Sequence, residues 1–146
     1  MSTSAIERLA HLLGPSYGVP DYVPDWGFRL PDPWPAVMRI DVTTFGQIDV
    51  EFAVIRALAT TRVQVTPELL TWFAGRTNAP VHLGAHRLWP YPEEQDYARV
   101  LISWAGPVHE ISRASLEAVI QNIGQQAKNS GIQLVQIFGA QVPSDY

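Results

Sequence analysis

Thr66-Pro-Glu-Leu-Leu-Thr-Trp-Phe-Ala-Gly-Arg-Thr-Asn-Ala-Pro-Val-His-Leu-Gly84 is the stretch whose reading decides the fold. Thr66 stands where a helix N-cap belongs, with Pro67 at the first helical position, where a missing N–H costs nothing. Leu69, Leu70, Trp72 and Phe73 supply the buried side of the predicted helix. Asn78-Ala79-Pro80 stops that helix and opens a strand over 81–89. Pro90-Tyr91-Pro92-Glu93-Glu94 reads as a turn. A further strand follows over 97–104, with Ala98, Val100, Ile102 and Trp104 on one face.

Toward the C-terminus, Ser112 is expected to cap a long helix, because Leu116, Val119, Ile120 and Ile123 recur at helical spacing. Beyond it the periodicity is double. Ile132, Leu134, Gln136 and Phe138 alternate as a strand would, whereas Leu134, Val135 and Phe138 also suit a helix. The pattern favours a helix broken near Asn129-Ser130-Gly131, with Gly139 as its C-cap and Pro143 beyond.

Toward the N-terminus, Ala36, Met38, Ile40 and Val42 alternate with polar neighbours, and so do Ile48, Val50, Phe52 and Val54. A short turn at Thr44-Phe45-Gly46 joins them, which predicts an antiparallel hairpin with one buried face. A third short strand is expected over 61–65. Residues 15–35 differ in kind. Six prolines there punctuate Tyr17, Tyr22, Trp26, Phe28 and Trp34. Such a strap either packs its rings over the sheet or lines a groove for another polypeptide. Before it, Ser4 and Glu7 have capping-box spacing, and Ile6, Leu9, Ala10 and Leu13 fall on one helical face.

The 146 residues fit a single domain, 1–146, with 47% apolar residues in short runs that favour an ordered globule. No run is long and apolar enough to span a bilayer, and the first residues lack the pattern of a secretory leader. Cysteine is absent, which excludes disulfides and thiolate chemistry. These features predict a cytoplasmic protein without membrane contact. Net charge is −4, and the ten basic residues are scattered singly. No basic face can be drawn from them, so a nucleic-acid partner is not expected.

Candidate chemistry is sparse. His82 and His86 are four apart, but on a strand that spacing is ~13 Å, too far to share one ion. His109-Glu110 reads as a surface pair before a helix, and His11 as solvated. Ser103 and Ser115 lie mid-strand and in a helix first turn, and no Gly-x-Ser-x-Gly or phosphate-binding loop occurs. Glu93, Glu94 and Asp96 read as a solvated turn. The expectation is therefore no enzyme, no metal and no cofactor.

The predicted order, α-β-β-β-α-β-β-α in an α+β domain with an antiparallel sheet and helices on one face, resembles the YbjN-like domains and the type III secretion chaperones. Within residues 62–139, Pro67-Glu-Leu-Leu and Arg76-Thr-Asn resemble that family's second helix, and Val81-His-Leu-Gly its following strand. Ile111-Ser-Arg-Ala-Ser-Leu resembles the cap of its last helix, and Ile137-Phe-Gly-Ala its end. The strap at 15–35 departs from the family pattern. The resemblance implies a non-enzymatic chaperone or adaptor, usually homodimeric, that holds a segment of a partner polypeptide by groove binding and strand addition. Leu9 and Leu13 from the first helix, with Trp26, Phe28 and Trp34 from the strap, are the expected partner-binding residues. The alternative is a small-molecule sensor or cryptic enzyme whose pocket lies between strap and sheet, with His86, Arg87 and Trp89 near its mouth. A third possibility is a structural subunit of a larger complex.

Overall fold

A computed structural model describes Leu9 and residues 27–29, 37–44, 50–75 and 83–143. The elements in order are β1 (Gly27–Arg29), β2 (Val37–Thr44), β3 (Glu51–Gln64), α1 (Pro67–Ala74), β4 (Ala85–Pro90), β5 (Tyr97–Pro107), a 3-10 turn at Val108–Glu110, and α2 (Arg113–Phe138). The strands form one antiparallel sheet in the order β1-β2-β3-β5-β4. Both helices pack on one face of it. Leu69 and Trp72 of α1 share a core with Leu116, Ile120, Ile123 and Leu134 of α2 and with Ile55, Val100 and Ile102 of the sheet. The protein is an α+β domain.

The two strands expected over 48–54 and 61–65 are one continuous strand, β3. Its alternation is interrupted by irregularities between Leu58 and Thr60 and between Thr60 and Val63. Ala57, Leu58, Ala59 and Thr60 are consecutively buried there. A bulge of this kind resets which residues face which way without ending the pairing. The face assignment of the first half is also reversed. Ala53, Ile55 and Ala57 lie under the helices, while Phe52 and Val54 are half-buried. Small residues win the helix face because they let α2 approach the sheet closely, and a shift of one residue exchanges the faces. In β5 the expected set holds. Ala98, Val100 and Ile102 are buried, and Trp104 packs against the core.

Thr66 caps α1 as expected, its hydroxyl accepting the Leu69 N–H at 3.2 Å. The helix ends at Ala74 with Gly75 as its cap, short of the predicted stop at Asn78-Ala79-Pro80. Glycine is the poorest helix former after proline, so the chain leaves the helix there. Leu69 and Trp72 are buried, whereas Leu70, expected inside, is exposed.

α2 is unbroken across Asn129-Ser130-Gly131, contrary to expectation. Ser112 and Ser115 form a reciprocal cap at its start. Gly139, at φ 66°, adopts the left-handed conformation that closes its end and that side chains disfavour. Ser130 and Gly131 do not break the helix because both face inward and are buried. Beyond it, Gln141 donates its N–H to the Arg62 carbonyl at 3.0 Å and accepts from the Thr60 hydroxyl, tying the C-terminal segment to the irregular part of β3.

The expected capping box at Ser4 and Glu7, Leu13, His11, the turn at Phe45-Gly46, Asn78 to His82 and most of the strap lie outside the described residues. Among the described residues no helix is long and apolar enough to cross a membrane.

Candidate functional site

Strand alternation builds the site from three neighbours. On β5, Ala98, Val100 and Ile102 turn to the helices, so Arg99, Leu101 and Ser103 turn to the opposite face. Register sets Arg56 of β3 and Ala85 of β4 on either side of Ser103, then Leu58 and Arg87 on either side of Leu101. Leu58 and Leu101 form a small second cluster there, separate from the main core. Beside Leu101 opens a groove of about 400 Å³, lined by Arg56, Arg87, Trp89, Leu101 and Ser103 together with Val54, Leu88, Trp104 and Ala105.

Its polar groups are ordered. The Arg87 Nε donates to the Ser103 hydroxyl at 3.4 Å. The Arg56 guanidinium lies 5.7 Å from the Trp89 ring centre. Two further arginine–aromatic stacks continue toward the β4–β5 turn: Arg99 over Tyr91 at 4.6 Å and Arg62 over Tyr97 at 3.9 Å. Cationic groups favour the electron-rich faces of such rings. The Tyr91 hydroxyl donates to the Thr61 carbonyl at 2.6 Å, which fastens the turn to β3. Arg62 also pairs with Glu94. That side-chain hydrogen bond is the main cause that holds the Glu94 carboxyl below its ordinary range and raises the Arg62 guanidinium above its own. Four arginines that are scattered in sequence thus belong to one end-to-end array.

The opposite side of β4 carries different chemistry. His86 was expected at the mouth of a pocket beside Arg87 and Trp89, but adjacent strand residues face opposite ways. Its imidazole lies on the helix side, edge-on to Trp72 at 5.7 Å and to Phe73 at 6.2 Å. Its Nε2 is 2.7 Å from the Ser130 hydroxyl. A serine and a histidine at that distance have the spacing of a nucleophile and its base. Ser130, however, is 5% exposed in mid-helix beneath these rings. It belongs to a polar stripe down α2. Asn122 accepts the Leu83 N–H at 3.1 Å, and Gln133 accepts the Trp72 indole N–H at 3.1 Å. Buried polar groups satisfied in this way fix packing rather than perform chemistry.

Of the expected partner-binding residues, the structure describes only Leu9 and the backbone of Phe28. Leu9 is completely buried within the main core, so in this conformation it offers no surface to a partner. Phe28 lies in β1, paired with Met38, and nothing further is described of its side chain. Leu13, Trp26 and Trp34 lie outside the described residues. His109 and Glu110 are an exposed pair at 3.7 Å, as expected. Among the described residues no cluster of three or more His, Asp or Glu is placed to hold a metal.

Sequence reasoning reached Arg87 and Trp89 but missed Arg56 and Ser103. The usable signal was an arginine at the polar phase of each alternating strand. No protein-family model matches this chain, and no curated protein is significantly similar to it.

Proposed function

We propose that this domain is a non-enzymatic cytoplasmic binding module, a chaperone or adaptor that holds a segment of a partner polypeptide and works as a homodimer. The observation that carries this reading is the groove on the face of the sheet opposite the described helices, bordered by β4, the terminal strand of the described sheet. A groove beside a terminal strand suits an extended peptide, which gains main-chain hydrogen bonds from the strand and choice from side-chain pockets. Trp89, 46% exposed, and Leu83, 52% exposed, place apolar surface at the two ends of β4. Aromatic anchors of this kind dominate binding energy at protein interfaces. The likeness to the secretion chaperones in strand and helix order supports the same role. Contact residues then shift from Leu9 to Trp89, Arg87 and Arg56.

Native mass spectrometry of protein recovered gently from its host tests this. The expected species has two subunits with a reproducible polypeptide bound, and the polypeptide is lost in Trp89→Ala. A bare single subunit in both would contradict the reading.

A second reading, a small-molecule sensor, is favoured by one observation. The groove's volume falls within the roughly 300–1,000 Å³ of typical ligand pockets. It predicts ligand-dependent stabilisation of the isolated protein by a metabolite.

A further inference from the structure

The partner-holding role proposed above is the premise of this inference. Granted it, the geometry points to an acidic occupant: the groove beside β4 takes an extended polypeptide segment that sets a side-chain carboxylate on Arg87 and an apolar side chain against Trp89.

Charge is the first reason. The chain has net charge −4, yet the groove is lined by two guanidiniums, Arg56 and Arg87, and by no carboxylate among its described lining residues. The Arg87 cation in the groove of a negative protein selects for an anion.

Presentation is the second. Arg87 is exposed, and among the described residues its one hydrogen bond is the long one from Nε to Ser103. That contact uses only Nε and leaves the terminal nitrogens as a fork, the arrangement that matches a carboxylate bidentately. The Ser103 hydroxyl can donate to the same anion. Arg99, registered opposite Trp89 on the same face, keeps its Nε buried without a partner, so donors there outnumber acceptors.

Spacing is the third. Arg87 and Trp89 are two residues apart on one strand and so share a face. A segment lying extended along β4 presents its own side chains at the same repeat. An acidic residue at Arg87 therefore puts the residue two further along at Trp89, whose ring is oriented by Arg56.

A nucleic acid fits less well. Its phosphate chain needs a track of available cations. Here Arg62 and Arg99 already lie over tyrosine rings, Arg62 is paired with Glu94, and Arg56 is engaged with Trp89.

The test is an NMR titration of the full chain, following the Arg87 Nε–H and Trp89 indole N–H signals. The probes are a capped pentapeptide alternating aspartate with phenylalanine, its asparagine counterpart, and single-stranded oligothymidylate. We expect the aspartate peptide to shift both signals and to bind about tenfold more tightly than the asparagine peptide. Salt should weaken it, and R87Q should abolish the difference while R87K retains part of it. Thermal unfolding of both variants checks that this exposed substitution leaves the fold intact. Equal binding of the two peptides at the groove would overturn the acidic occupant while leaving the peptide-binding reading standing. No shift with either peptide would overturn both, and tighter binding of oligothymidylate would replace the polypeptide with a nucleic acid.

Discussion

The Arg56 guanidinium on β3 stacks 5.7 Å from the Trp89 ring centre on β4, with β5 lying between the two strands. Their backbones are separated by two inter-strand spacings, roughly 9–10 Å, and by a four-residue offset along β5 from Ser103 to Arg99, so both side chains lean toward each other across Leu101. The contact roofs the floor of the groove and fixes the orientation of its one large exposed ring.

Trp89→Ala separates binding from stability. The ring is nearly half exposed, and a cation–π contact at such a site contributes about 0.5–1 kcal/mol. Urea unfolding should therefore show a loss of about 1 kcal/mol or less, with partner binding abolished. A loss of several kcal/mol would make Trp89 a core residue instead.

Gly84 lets the chain entering β4 pass close to β5 and α2. A Cβ there would stand 2.6 Å from Cγ2 of Ile102 and 2.9 Å from Cγ2 of Ile123. Gly84→Ala is expected to cost about 1–3 kcal/mol by overpacking. Trimming the obstacle should recover part of this, so Gly84→Ala with Ile123→Ala should cost less than the two singly summed. Strict additivity in chemical denaturation would show that the sheet yields without strain.

Ser130 is the buried partner of His86, and removing its hydroxyl leaves part of the imidazole's hydrogen bonding unmet. Ser130→Ala should destabilise by about 1–3 kcal/mol without altering binding in the groove, which lies on the other face. Loss of binding with unchanged stability would instead give the Ser130–His86 pair a functional role.

Glu94 supplies the pH test. Its folded pKa is depressed by the Arg62 hydrogen bond, so the pair's contribution is present above the unfolded carboxyl value. That contribution is lost as pH falls through the depressed folded value. Glu94 is exposed and Arg62 half-exposed, so solvent screens the pair and the titration rather than the stability is the readout. Carboxyl NMR should give Glu94 a midpoint below an ordinary glutamate, and Arg62→Met should restore the ordinary one. A normal midpoint in the unmodified protein would mean the pair does not persist in solution.

The helical half of this fold is legible in the chain because its signals are local. Thr66 before proline, Ser112 before an apolar helical stripe and Gly139 at its end each settle one boundary within a few residues. The sheet is less legible because its phase depends on what packs above it. Phe52 and Val54 are more apolar than Ala53 and Ala57, yet the alanines lie under the helices, where α2 needs small neighbours. The break anticipated at Asn129-Ser130-Gly131 fails for a related reason. Residues with weak helix propensity are retained where close packing and the His86 contact favour them. The groove was hidden because Arg56, Arg87 and Ser103 meet only through strand register, although Arg87 and Trp89 could be paired, and His86 set apart, by alternation alone.

The most direct measurement is site-specific photo-crosslinking in the host, with the reactive residue at position 89 and, as control, at Ile137, which is 61% exposed at the far end of α2. The account predicts a discrete polypeptide adduct at position 89, absent at 137 and diminished by Arg87→Gln. Equal labelling at both positions, or none at 89, would contradict the claim that the open sheet face beside β4 holds a partner.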